Sequence, residues 1–256
     1  MLENNVYKEE LAKLEEVNLL DFCCGTGGEI VGTICALNDF LPNIKRINVD
    51  AFDANPEAIR FLYHLLYAIE NGKDWNVDVN LNPQCLYIES EQEIKDIVNL
   101  TNVKYQFILS FKALNEFVQH KTFGDANVYK LISSYLTPLL SNDGIYILSD
   151  VTTKLDDSSL YYPQLLNTGI NTLVKECSTL ATVYPYVCNK NEDKCKGCYM
   201  QDVFEVSHRH RNRDVSKVAY RILCNSEFAK RMQPRNLNIE CRATNLTAEK
   251  SSPYQH

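Results

Sequence analysis

Apolar positions along this chain recur with two periods, and the switches between them mark out short elements. Residues 17–23 (VNLLDFC) are a brief apolar run halted by glycines, which predicts a buried strand. Residues 29–40 then set Ile30, Ile34 and Leu37 at near-helical spacing. Residues 44–52 predict a second strand, and 56–69 a helix with Pro56 at its start and Glu57 in its first turn. A third strand is expected at 85–88, a polar helix at 91–100 and a fourth strand at 105–111. Residues 128–140 predict a helix that Pro138 disturbs near its end, and an Asn-Asp-Gly turn leads to a fifth strand at 144–149.

Strand and helix alternating in this way predict an α/β fold, a doubly wound and mostly parallel sheet covered on both faces. The pattern then changes. After a helix at 160–180, three strand-like segments follow with little helix between them: 181–187, 203–208 and 216–224. They are expected as antiparallel strands at the C-terminal edge, with a cysteine-bearing insertion at about 186–210. One domain is therefore expected over 1–232, followed by a polar tail at 233–256.

Composition narrows the class. The 256 residues are 45% hydrophobic and 23% charged, with nine glycines and eight prolines, which excludes a disordered or collagen-like chain. No apolar run approaches the ~18 to 20 residues of a membrane span, and the acidic, helix-patterned N-terminus is unlike a signal peptide. A cytoplasmic protein is the expectation. Charge is uneven: from Tyr186 onward 13 basic and 8 acidic residues give +5, while the preceding residues carry −12 of the overall −7. A basic end on an acidic body fits either a nucleic-acid contact or an ordinary solvated surface.

The most informative stretch is Asp21-Phe22-Cys23-Cys24-Gly25-Thr26-Gly27-Gly28. Glycines in a sharp strand-to-helix turn permit positive φ and let a ligand approach the backbone. The third glycine of a dinucleotide fingerprint would fall at position 30, where Ile30 stands, which disfavours a pyrophosphate cradle. Asp53, at the tip of the second strand, is placed to accept the two hydroxyls of a ribose.

Over roughly residues 17–148 these features resemble the class I S-adenosylmethionine-dependent methyltransferases. The likeness rests on the 21–28 turn, on Asp53-Ala-Asn-Pro-Glu-Ala and on Tyr105-Gln-Phe-Ile-Leu-Ser-Phe-Lys-Ala-Leu-Asn-Glu. It implies a Rossmann-like sheet and S-adenosylmethionine as cofactor. The methionine part would lie over Gly25 and Gly27, with Asp21, Cys23 and Thr26 in the same turn. Asp53 would hold the ribose, Phe52 and Ala54 would line the ring, and Glu89 or Ser90 would flank the adenine. Ser110, shared between cofactor and acceptor, would open a catalytic rim continued by Lys112, Asn115 and Glu116. Neither an Asn/Asp-Pro-Pro-aromatic rim nor a Pro-Cys nucleophile is present, so no motif names the acceptor.

Cys188, Cys195 and Cys198 are crowded into a polar segment, a donor set suited to zinc or an iron–sulfur cluster. His208 is the expected fourth ligand, with His210, Cys177, Cys224 and Cys241 as competitors. A cysteine cluster near the last strands, followed by a basic strand end, is similar to the methyltransferase-like factors of ribosomal small-subunit assembly. Ser207-His208 departs from that pattern, where a Cys-His pair is expected. The likeness implies a ribosomal RNA partner, which Arg209, Arg211 and Arg213 could contact through phosphates. A methyltransferase acting on RNA is the leading expectation. A non-catalytic assembly factor that binds the same cofactor and a small-molecule methyltransferase are the alternatives.

Overall fold

The computed structural model describes residues 4–72, 75–156, 158–185 and 202–232, apart from the side chains of Asp202 and His208. An N-terminal helix α1 (Asn5–Leu11) precedes β1 (Glu16–Phe22), α2 (Gly28–Phe40), β2 (Arg46–Asp53), α3 (Pro56–Gly72) and β3 (Asp78–Cys85). Then come α4 (Glu91–Leu100), β4 (Tyr105–Phe111), a short α5 (Leu114–Gln119) and α6 (Val128–Leu136), followed by a 3-10 turn (Thr137–Leu139) and β5 (Leu140–Asp150). The chain closes with α7 (Tyr162–Glu176), β6 (Leu180–Tyr184), β7 (Asp202–His208), β8 (Arg211–Asn225) and α8 (Ser226–Met232).

The strands form one sheet in the order β3-β2-β1-β4-β5-β8-β6, with β7 paired to β8. Strands β1 to β5 are mutually parallel, and β8 runs antiparallel to β5, β6 and β7. The expected fold class is therefore the observed one: a doubly wound, mostly parallel sheet with an antiparallel C-terminal edge. The central strands β1 and β4 are buried almost throughout, which is why they read as continuous apolar runs. Leu19 and Val17 face one buried cluster with Ile30 and Ile34 of α2 and Leu62 of α3. Leu20 and Phe22 face a second cluster with Ile94 of α4, Tyr129 of α6 and Leu166 of α7.

Several boundaries differ from the sequence expectation for identifiable reasons. The third strand is Asp78–Cys85, and 86–88 is instead the segment that follows it. As an edge strand pairing with β2, β3 is half exposed and rich in asparagine, so it lacks an apolar signature. Its asparagines bond sideways: Asn80 Nδ2 donates to Asn48 at 3.3 Å, and Asn48 Nδ2 donates to Asn18 at 2.9 Å. Pro138 ends α6 earlier than expected, at Leu136, and tightens the next residues into the 3-10 turn. The helix expected at 160–180 is confined to α7, with Pro163 in its first turn.

β8 is longer than expected. Its second half pairs with β5 between Asp150↔Ala219 and Ile145↔Cys224. Its first half runs past the end of β5 and forms a hairpin with β7, from Asp202↔Val218 to His208↔Arg211. The basic residues Arg211 and Arg213 thus belong to a strand rather than a loop. Among the described residues, no helix is long and apolar enough to cross a membrane.

Candidate functional site

The chain leaves β1 toward β2 and β3 on one side, and β4 and β5 extend the sheet on the other. The carboxyl ends of β1 and β4 therefore flank the switch point where α/β sheets bind ligands. A cavity of about 750 Å³ opens there. Its floor and near wall are Cys23, Cys24, Gly25, Thr26, Asp53 and Ala54; Leu86, Tyr87, Ile88 and Glu89 close one end. The far wall is Phe111, Lys112, Glu116, Phe117, His120 and Thr122, and Glu29 joins from the start of α2.

The near wall is made mainly of backbone. Cys24 N donates to Phe52 O at 2.9 Å, tying the turn to β2. Gly25 N donates to Asp53 Oδ2 at 2.7 Å, and Asn55 N donates to Oδ1 at 2.8 Å. Gly25 lies at φ 50 with no atom within 4 Å of where a Cβ would stand, so its surface is open to the cavity. Gly27 lies at φ 78 as the N-cap of α2, and a Cβ there would collide with Leu62 of α3. Cys23 and Lys112 also have positive φ, 62 and 54, although they are not glycines. Each such residue costs about 1–2 kcal/mol of backbone strain, and both sit on the cavity.

Asp50 and Asp53, the two acids of β2, are sorted by the pleat. Asp50 points across the sheet, accepting from Tyr105 Oη at 2.6 Å and Asn82 Nδ2 at 2.7 Å. Asp53 lines the cavity. Asp21 is fully buried, and neither of its oxygens has a hydrogen-bond partner. Burial first, and then the charges of Glu29 and Asp53, push its carboxyl well above the usual range. Glu29 is pushed up by burial, and less by Asp53, against a hydrogen bond from its own backbone N–H and the charge of Lys112. Burial also raises the thiols of Cys23 and Cys24, so neither is a thiolate at neutral pH.

The far wall hangs on Asp150 at the end of β5. Its Oδ2 accepts from Asn115 N and Tyr129 Oη, both at 2.9 Å, and its Oδ1 accepts from Val151 N at 2.7 Å. The Asn115 side chain, oriented to satisfy its neighbours, donates to Asp150 Oδ1 at 2.7 Å and to Lys112 O at 3.1 Å. Burial, with a smaller push from Glu116, raises Asp150 to about 6 against the lowering effect of Val151 N, Tyr129 Oη and Asn115 N.

Of the residues expected at the site, Cys23, Gly25, Thr26, Asp53, Ala54, Glu89, Lys112 and Glu116 line one cavity. Asp21 and Gly27 lie beneath it. Ser110 is buried within β4. Asn115 faces Asp150. Ser90 caps α4: its Oγ accepts from Gln92 N at 3.2 Å, and its N donates to Glu93 Oε2 at 2.7 Å. Sequence reasoning missed Glu29, Tyr87, Phe117, His120 and Thr122. Glu29 was within reach as the acid in the first turn of α2; the others depend on the misplaced third strand and on α5, which was not foreseen.

The proposed metal ligands Cys188, Cys195 and Cys198 lie outside the described residues, as does the side chain of His208. Among the described residues, no group of three or more His, Cys, Asp or Glu is placed to hold a metal ion. Of the arginines suggested for RNA, Arg211 pairs with Asp214 at 3.4 Å and Arg213 with Glu205, while Arg209 sits in the β7–β8 turn.

No family model and no curated protein matches the sequence. Among solved structures, the chain is similar to an S-adenosylmethionine-dependent methyltransferase from Clostridium acetobutylicum at 13% identity, over 87% of this chain and 90% of that one, with a TM-score of 0.43. A second, from Methanosarcina mazei, is 12% identical over 82% and 92% of the two chains, with a TM-score of 0.43. A third, from Aquifex aeolicus, is 10% identical over 86% and 90%, with a TM-score of 0.39. With identities and scores this low, the strand order and the cavity geometry carry the reading that follows.

Proposed function

We propose that this protein binds S-adenosylmethionine in the cavity and transfers its methyl group to a small neutral or cationic acceptor. The observation that carries the reading is the charge of the lining. Glu29, Asp53, Glu89 and Glu116 stand against Lys112, with His120 as the other titratable base. A pyrophosphate would meet like charge there, whereas a sulfonium beside an ammonium would meet opposite charge.

The residues present fit that group. Gly25 offers bare backbone at the turn. Asp53 accepts one backbone N–H on each oxygen and keeps acceptor capacity for two ribose hydroxyls. Tyr87 and Ile88 supply apolar surface for a purine. When bound, the cofactor supplies a methyl group on a positively charged sulfur. The work left to the chain is alignment of the acceptor and exclusion of water. Phe111 and Phe117 would exclude water, while Glu116 and His120, one helical turn apart, would orient the acceptor's polar hydrogen.

Two observations favour a small acceptor over the RNA expected from the sequence. The cavity gives a polyanion little counter-charge, and Arg211 and Arg213 are already paired with carboxylates. Calorimetric titration is expected to show micromolar binding of S-adenosylmethionine and of its demethylated product; no heat with either would overturn the reading. Tritium from labelled cofactor is expected in the small-molecule fraction of a cell extract, and label confined to RNA would overturn the acceptor assignment. A zinc or iron–sulfur site on Cys188, Cys195, Cys198 and His208 remains a proposal from sequence. Elemental analysis of anaerobically purified protein tests it, and neither metal at stoichiometric level would refute it.

A further inference from the structure

A helix N-terminus ordinarily favours an anion, and α2 begins beside the cavity. Gly27, its N-cap, contributes no side chain there. Glu29, however, is the acid of the first turn and lines the cavity. It is half-buried; its carboxyl accepts from its own backbone N–H, and Asp53, Lys112 and the buried Asp21 are the ionisable side chains near enough to act on it or be acted on by it. An acid in this place sets a negative charge against any phosphate brought to the helix start.

A second, independent observation concerns Asp21. It lies on the face of β1 turned toward α2, fully buried, with both carboxyl oxygens unpartnered and with Glu29 and Asp53 near enough for their charges to act on it. Three carboxyls gathered under one turn repel one another as they ionise, and a cation over the turn would offset that repulsion. We propose that Glu29 is the specificity-determining residue of the cavity: it selects a cationic adenosine ligand and rejects adenosine ligands that carry phosphate.

This inference rests on the reading of the cavity as a sulfonium site, and the experiment separates the two. Wild-type protein, Glu29→Gln and Glu29→Asp are titrated calorimetrically with S-adenosylmethionine, its neutral thioether product, adenosine and ADP. Glu29→Gln is expected to weaken S-adenosylmethionine about 5- to 20-fold and the thioether about 2-fold or less, a partly screened charge effect. Adenosine should bind wild type better than ADP does, and that gap should narrow in Glu29→Gln. Glu29→Asp keeps the charge and should keep the wild-type preferences, which a purely structural role for the side chain would not require.

If wild type binds both sulfur ligands but Glu29→Gln leaves their affinity ratio unchanged, the inference falls and the donor reading stands. ADP binding wild type as well as adenosine does would also overturn it. If wild type binds neither sulfur ligand, the donor reading falls and takes this inference with it.

Discussion

The two long walls of the cavity are built from different materials. The wall from β1 and β2 is mostly backbone, and three hydrogen bonds between residues 24 and 55 fix its shape. The opposite wall is a strand end and the six-residue helix α5, which has no side-chain N-cap and presents the exposed groups Lys112, Glu116 and His120. It is held to β5 by the bond from Lys112 N to Ser149 O and by the buried carboxyl of Asp150. A wall of backbone keeps its form through most side-chain changes. A wall whose side-chain support is one acid inherits that acid's titration.

The largest expected effect follows from this. Asp150 titrates at about 6 in the folded protein, above its ordinary value of 3.8, because burial outweighs its donors. The folded state therefore holds this proton more tightly than the unfolded chain does. The stability it contributes is complete below the ordinary carboxyl value and is lost as pH rises through about 6. Asp150→Asn loses acceptor strength at every pH but cannot titrate. Between pH 4 and 7.5, urea melts should show the wild type losing about 2.5 kcal/mol relative to the variant. A difference that does not change with pH would mean that Asp150 is ionised throughout.

On the opposite wall, Asp53→Ala is expected to weaken S-adenosylmethionine binding by about 1.5–3 kcal/mol, as for a lost charged hydrogen bond. It also strips Gly25 N and Asn55 N of their acceptor. Titration at constant pH measures the effect, and unchanged affinity would show that another acid holds the sugar.

This contrast also explains what could be read from the chain. Gly25 and Asp53 were legible because each lies at the end of an apolar strand and is followed at once by a helix, so local pattern alone places them. Strand β3 was not, because its asparagines bond sideways to β2 rather than showing a buried face. Missing it hid Tyr87 and Ile88, which the chain brings to the cavity just after the strand. Helix α5 was not legible either: it is short, and it is fixed by contact with Asp150, distant in sequence. His120 enters the cavity only through that helix. Asn115 lay in a matching motif, but tertiary contact turns it toward Asp150.

The strained residue of the far wall offers a smaller effect of opposite sign. Lys112 sits at φ 54, and its N–H is anchored to Ser149 O at 2.8 Å. Lys112→Gly removes the side-chain penalty and keeps that bond, so thermal or urea unfolding should show a gain of about 1 kcal/mol. The same change removes a cation from an acidic cavity, so S-adenosylmethionine should bind somewhat more tightly. A loss of stability would show that the lysine side chain makes a compensating contact.

The smallest effect distinguishes a helix cap from a ligand contact at one residue. Ser90 stands beside Glu89, which lines the cavity, and sequence likeness made either one a neighbour of the adenine. Its hydroxyl nevertheless accepts from Gln92 N and donates to Glu93 Oε2 at 2.7 Å, and its own N–H is taken by the same carboxylate. With both of its polar groups engaged at the start of α4, the residue stabilises a helix end. Ser90→Ala should then lower stability by about 0.5–1 kcal/mol, the ordinary loss of an N-cap, and leave cofactor affinity unchanged. The Glu93 carboxyl, lowered chiefly by its bond from Ser90, should shift back upward in the variant, which carbon-detected NMR titration can follow. Weakened binding with no change in unfolding would reverse the assignment, because a cap acts on the helix whether or not the cavity is filled.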